Sequence, residues 1–145
     1  MGKSDILLVE DNPDDAELTL HAFRKHDMVD DIILVRDGEE ALDYIFGRGA
    51  YSERDTERNP SLILLDLKLP KIDGLEVLKQ IRSDDRMRRI PVVILTTSDD
   101  EQDIMAGYNL GTNSFIRKPV DFDAFVSTVQ QLGLYWLVTN TGAPH

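Results

Sequence analysis

Short, largely apolar runs recur along the chain at residues 5–9, Ile32–Val35, Leu62–Asp66, Pro91–Thr96 and Ser114–Arg117. Too short for helices and without polar alternation, they read as buried strands of a parallel sheet. Between them apolar residues return at helical spacing. Asn12 caps a helix with Pro13 at its first position and Asp14 and Asp15 in its first turn, running to about Lys25. Asp37 opens a second, which carries Ala41, Leu42, Ile45 and Phe46 and ends at Gly47. A third follows the turn Leu69-Pro70-Lys71-Ile72-Asp73-Gly74 and bears Leu75, Val77, Leu78 and Ile81. Asp99 or Asp100 starts a fourth, with Ile104, Met105, Tyr108 and Leu110 before Gly111. Asp121 caps the last, with Phe122, Phe125, Val126, Val129 and Leu132 on one face. Gly47–Pro60 has no apolar period and reads as an extended polar loop. Five strands alternating with five helices predict an α/β fold, an open doubly wound parallel sheet with right-handed crossovers.

Size keeps this picture to one domain. A chain of 145 residues, 41% hydrophobic, needs only one core. A single domain over 1–145, with its core at about 5–137 and no output domain, is expected. With no cysteine, disulfides and thiolate metal sites are excluded, which is compatible with a reducing cytoplasm. No stretch approaches the roughly 20 apolar residues of a membrane span, and no basic-then-apolar signal opens the chain. A cytoplasmic protein that does not enter membranes is expected. Sixteen basic against 27 acidic residues leave a net charge of −11. That charge repels nucleic acid and anionic lipid at long range, so direct DNA binding is not expected.

Where the charge sits matters more than its sum. Glu10 and Asp11 follow the first run, Asp66 ends the third, and Lys118 follows the fifth. Parallel sheets bind ligands beyond the carboxyl ends of their strands, so three carboxylates and one ammonium should meet there. Crowded carboxylates repel, and one takes up a proton unless a cation compensates. Mg²⁺ suits this role, because it takes a few carboxylate oxygens and keeps waters that a phosphoryl oxygen can replace. Zinc is a poor candidate, since neither histidine nor cysteine stands at these strand ends. Lys118 faces a phosphoryl group as a point charge, and Thr96 offers the same oxygens a hydroxyl donor.

Four motifs occur in order: Val9-Glu10-Asp11; Leu64-Leu65-Asp66-Leu67-Lys68-Leu69-Pro70 with Asp73-Gly74; Leu95-Thr96-Thr97; and Phe115-Ile116-Arg117-Lys118-Pro119. Each alone is weak, but the set is specific. From Ile6 to about Leu137 the chain resembles the receiver domain of two-component response regulators. The resemblance implies a flavodoxin-like sheet of order 2-1-3-4-5 and a cis Lys118-Pro119 peptide. It implies that Asp66 accepts a phosphoryl group from a phosphohistidine on a sensor histidine kinase or phosphotransfer protein. Asp11, Asp66 and the backbone carbonyl of Lys68 would ligate Mg²⁺, Glu10 would act from the outer shell through water, and Lys118 would hold the phosphoryl oxygens. Thr96 and Phe115 would form the switch, Thr96 swinging toward the acyl phosphate and the Phe115 ring turning inward. Phosphorylation would then bias a surface made of the fourth helix, fifth strand and fifth helix.

The chain departs from the common pattern in three places. Phe115 lacks the hydroxyl of the tyrosine found in many relatives, Thr97 is bulkier than the usual alanine or glycine, and Glu10 replaces a frequent aspartate. The long loop Gly47–Pro60 and the late segment Leu134-Tyr135-Trp136-Leu137-Val138 resemble single-domain regulators associated with phytochrome-type sensor kinases. That segment has more apolar surface than one helical stripe buries, which leaves two readings, a chain end that frays or folds back over its own domain and a homodimer interface including Tyr135 and Trp136. Such a protein is a phosphoacceptor switch rather than an enzyme with a separate substrate, acting on a downstream protein. The alternative is a Mg²⁺-dependent phosphohydrolase with Asp66 as nucleophile. Lys68 occupies the place where that chemistry would want a second acid.

Overall fold

The computed structural model describes residues 6–26, 32–55, 59–97 and 114–133. Five strands, β1 (Ile6–Val9), β2 (Ile32–Val35), β3 (Leu62–Asp66), β4 (Val92–Thr96) and β5 (Ser114–Arg117), form one parallel sheet in the order β2-β1-β3-β4-β5. The helices described are α1 (Pro13–Arg24), α2 (Gly38–Phe46), α3 (Gly74–Ser83) and α4 (Phe122–Gln131). Here α4 is the fifth helix of the sequence prediction, because the helix expected over 99–110 lies outside the described residues. Tyr135 and Trp136, proposed for a dimer interface, also lie outside them.

Each strand sends alternate side chains to opposite faces, as its pleat requires. Leu7 and Val9, Ile63 and Leu65, and Val92 and Ile94 join α2 and α3 in one apolar layer. Ile6 and Leu8, Leu62 and Leu64, and Val93 and Leu95 pack with Phe23 of α1 and with Phe125 and Val129 of α4 in the other. Burial on both faces explains why β1, β3 and β4 read as unbroken apolar runs. Of the predicted start and stop residues, Asn12, Asp37, Gly47 and Asp121 act as expected, and Asp99, Asp100 and Gly111 lie outside the described residues. Asn12 Oδ1 accepts the N–H groups of Asp14 and Asp15, Asp37 and Asp73 cap α2 and α3, and Gly47 ends α2 in the left-handed conformation at φ 67°. β4 begins one residue later than predicted, because Pro91 has no N–H for the ladder. Its carbonyl still accepts from the Ile63 N–H at 2.9 Å.

The segment Gly47–Pro60 differs from the extended loop expected of it. Gly49–Tyr51 form a 3₁₀ turn that folds back over α2. The Tyr51 ring meets Tyr44 edge-on at 5.1 Å, and its hydroxyl donates to Glu40 Oε2 at 2.8 Å. Burial, then that bond to a carboxylate, pushes the phenol up to about 12. Arg54 lies over the Tyr44 ring at 4.5 Å and donates to the carbonyls of Tyr44 and Ile45. Both carbonyls lie in the last turn of α2, where a helix runs short of backbone donors. Arg54 adds side-chain donors there.

Candidate functional site

In this sheet the strand order reverses between β1 and β3, where open α/β folds place ligands. Val9 pairs with Leu65 across that boundary, so the following Glu10 and the strand-ending Asp66 stand side by side. Glu10 is held at the strand end by its N–H on the Val35 carbonyl at 3.0 Å, and only 1% of it is exposed. Farther along the sheet Thr96 pairs with Arg117, which sets Lys118 beside it. The Lys118 N–H donates to the Thr96 carbonyl at 2.7 Å, and the following peptide to Pro119 is cis.

These elements converge on the Lys118 ammonium, which is 9% exposed and donates to Asp66 Oδ2 at 2.9 Å and Glu10 Oε1 at 3.1 Å. It also donates to Asp15 Oδ2 at 3.1 Å. Sequence reasoning assigned Asp15 only to the first turn of α1. Asp11, exposed, completes an acidic trio with Glu10 and Asp66 in which one carboxylate oxygen from each lies within 4.8 Å of the others. The Lys68 N–H donates to Asp66 Oδ1 at 3.2 Å, so both oxygens of that carboxylate are oriented. At the end of β4 the Thr96 hydroxyl is buried without a hydrogen-bond partner among the described residues, the one such side-chain atom among them. Such a group ordinarily costs stability unless something satisfies it. Phe115 is half-buried and packs against the layer of α2 and α3.

Two glycines press the loop after Asp66 into place. A Cβ on Gly74 would stand 2.3 Å from the Asp66 carbonyl oxygen, and one on Gly38 would stand 1.7 Å from that of Ile72. Gly74 also donates its N–H to the Leu67 carbonyl at 2.9 Å. Close backbone approach thus fixes the acidic residue from below.

The electrostatics are those of a site short of positive charge. Burial, and then the hydrogen-bonded carboxylate of Asp66, raise the Glu10 carboxyl to about 7. Burial disfavours the Lys118 ammonium, but its bonds to Asp66, Asp15 and Glu10 outweigh this and hold it above its usual range. One ammonium does not neutralise the surrounding carboxylates. All-oxygen donors with a proton to displace fit a hard divalent cation.

A pH dependence of stability follows for the metal-free chain. From about 4.5 to about 7 folded Glu10 keeps a proton that the unfolded chain releases, so stability should fall as pH rises through that window. The raised Lys118 contributes stability throughout this range and loses it only as pH climbs past 10.5. Urea midpoints in chelator should therefore be lower at pH 7.5 than at pH 5. A midpoint rising with pH would contradict the protonated Glu10.

The response regulator receiver domain family matches residues 6–130. Among curated proteins, the chain is 43% identical to the probable methanogenesis regulatory protein FilR2 of Methanothrix harundinacea over 93% of this chain and 84% of that one. It is 39% identical to response regulator Rcp1 of Synechocystis over 94% of this chain and 90% of that one. Among solved structures, the bacteriophytochrome response regulator AtBRR superposes with a TM-score of 0.89 at 48% identity, covering 97% of this chain and 99% of that one. The Mn(2+)-bound form of Rcp1 superposes with a TM-score of 0.71 at 37% identity, covering 98% and 99%. The phosphorylated cyanobacterial phytochrome response regulator RcpA gives a TM-score of 0.74 at 41% identity, covering 97% and 98%. Its sheet order, its acidic trio at the β1/β3 boundary and these relatives agree, and the chain belongs to the response regulator receiver domain family.

Proposed function

We propose that the chain is a phosphorylation-driven signalling switch whose acceptor is Asp66. The observation that carries this is the convergence of Lys118 on Asp66 Oδ2 at 2.9 Å beside the acidic trio and the unpartnered Thr96 hydroxyl. Asp66 attacks phosphorus, a P–O bond forms, and the P–N bond of a donor phosphohistidine breaks, its electron pair returning to the imidazole. Asp11, Asp66 and the Lys68 carbonyl would hold Mg²⁺, with Glu10 supporting it through water; bound there, the ion would supply positive charge for the phosphoryl oxygens. Lys118 donates to one of those oxygens, and Thr96 gains through another the partner it lacks. Movement of Thr96 vacates space toward which the Phe115 ring can turn, changing the face built by β5, α4 and the helix expected over 99–110. The donor is a histidine kinase, and the resemblance to bacteriophytochrome and phytochrome regulators favours one of phytochrome type.

Incubation with Mg²⁺ and a small acyl phosphate tests this. Intact mass should rise by one phosphoryl group and should not rise in excess chelator. No gain with Mg²⁺ would remove the proposal. The side chain of Thr97, exposed at the end of β4, narrows access to the acyl phosphate. Thr97→Ala should accordingly shorten the lifetime of phosphorylated Asp66 several-fold, and an unchanged lifetime would show that Thr97 does not control access.

A further inference from the structure

An ammonium group has three donors, and Lys118 commits all of them, to Asp66, Glu10 and Asp15. These acceptors are not equivalent. Glu10 and Asp66 belong to the acidic trio with Asp11, whereas Asp15 lies outside it. With a divalent cation held by Asp11 and Asp66 and with Glu10 turned to its outer shell, Lys118 must share two of its three acceptors, Asp66 and Glu10, with a stronger charge that also repels it. Its bond to Asp15 is the one that this exchange spares.

We propose that Asp15 is a positioning residue that keeps the Lys118 ammonium at the site while the trio is taken up by the cation. The inference rests on the receiver function proposed above. The backbone of Asp15 is well fixed: its N–H donates to Asn12 Oδ1 at 3.0 Å, and its carbonyl accepts the Thr19 hydroxyl at 3.0 Å. The side chain leans from the first turn of α1 over Lys118, 31% exposed against 9%. Once Asp66 carries the phosphoryl group, one Lys118 N–H turns to a phosphoryl oxygen and another stays on Asp15. Asp14 offers an internal control. It carries the same charge in the same turn, is exposed, and makes no ion pair with Lys118.

The test is acetylation of lysine amines in the full chain, with Lys118 followed by peptide mapping, in the presence and absence of Mg²⁺. Wild type, Asp15→Asn, Asp15→Glu and Asp14→Asn are compared. Without Mg²⁺, Glu10 and Asp66 should protect Lys118 in all four. With Mg²⁺, Lys118 should become about tenfold more reactive in Asp15→Asn alone, the size expected for losing one partly exposed charged hydrogen bond. Asp15→Glu should restore protection. Phosphoryl uptake from acyl phosphate at saturating Mg²⁺ should slow by about the same factor in Asp15→Asn, with Asp14→Asn like wild type. Equal labelling of Asp15→Asn and wild type in Mg²⁺ would overturn the proposal. So would an equal rise in Asp14→Asn, or a rise independent of Mg²⁺. A wild type that takes up no phosphoryl group refutes the receiver function instead, and the labelling pattern still decides whether Asp15 holds Lys118.

Discussion

Asp66→Asn should take up no phosphoryl group detectable by intact mass under conditions that load the wild type. An amide oxygen carries no formal charge and its nitrogen lone pair is delocalised, so neither attacks phosphorus as a carboxylate does. The substitution keeps the volume of the side chain, and an amide oxygen can still accept from the Lys68 N–H, which now bonds Asp66 Oδ1. Fold is therefore retained, and a second readout confirms that the site is still assembled. Glu10 owes part of its raised carboxyl to Asp66. In Asp66→Asn that carboxyl should move down from about 7 toward 4.5, and the decline of stability between those pH values should flatten. Uptake of one phosphoryl group by wild type and variant alike would show that another residue is the acceptor.

Gly74→Ala should be nearly as damaging without touching a charged group. Alanine is the better helix former at a helical position, so propensity alone would make the variant more stable. The added methyl would instead stand 2.3 Å from the Asp66 carbonyl oxygen and 2.7 Å from the Leu67 Cα, and both are backbone atoms that cannot rotate away. Overpacking of this kind costs about 2 kcal/mol. The relief available is to push the Asp66–Leu67 backbone off α3, which moves Asp66, the proposed acceptor, and the Lys68 N–H together. Gly74→Ala should lower the urea midpoint and slow phosphoryl uptake at least tenfold, a consequence of displacing the reacting group by a fraction of an ångström. Gly38→Ala, whose methyl would meet the Ile72 carbonyl at 1.7 Å, should press the far end of the same loop. Unchanged uptake in folded Gly74→Ala would mean that the loop position does not govern the reaction.

Much of this architecture was legible because the central strands β1, β3 and β4 are buried throughout, and because Glu10, Asp66, Thr96 and Lys118 stand at or just past strand ends. Glu10, Asp11, Asp66 and Lys118 interrupt apolar runs, and that interruption marks the ends of strands that the fold brings together. Asp15 was harder to recognise because a first-turn acid is already favoured by the helix dipole. It does that work and also binds Lys118. The segment after α2 was misjudged for a related reason. Tyr51 and Arg54 follow no period, yet a tyrosine hydroxyl on a carboxylate and a guanidinium on two helix-end carbonyls tie the segment to α2. The close approaches at Gly38 and Gly74 had no sequence signature beyond the glycines, because they depend on which backbone crosses there.

The convergence on Lys118 also bears on how the chain folds. Lys118 and Glu10 are separated by 108 positions, and Lys118 and Asp66 by 52. These contacts can close only after the central strands have paired and β5 has docked, so they belong to the late, high-contact-order part of folding. Local segments such as α1, or α2 with the 3₁₀ turn that follows it, do not contain the cluster. A ligand captured by it therefore binds only the complete domain and adds its binding free energy to global stability. Occupancy of the cluster is thus coupled to folding of the whole domain.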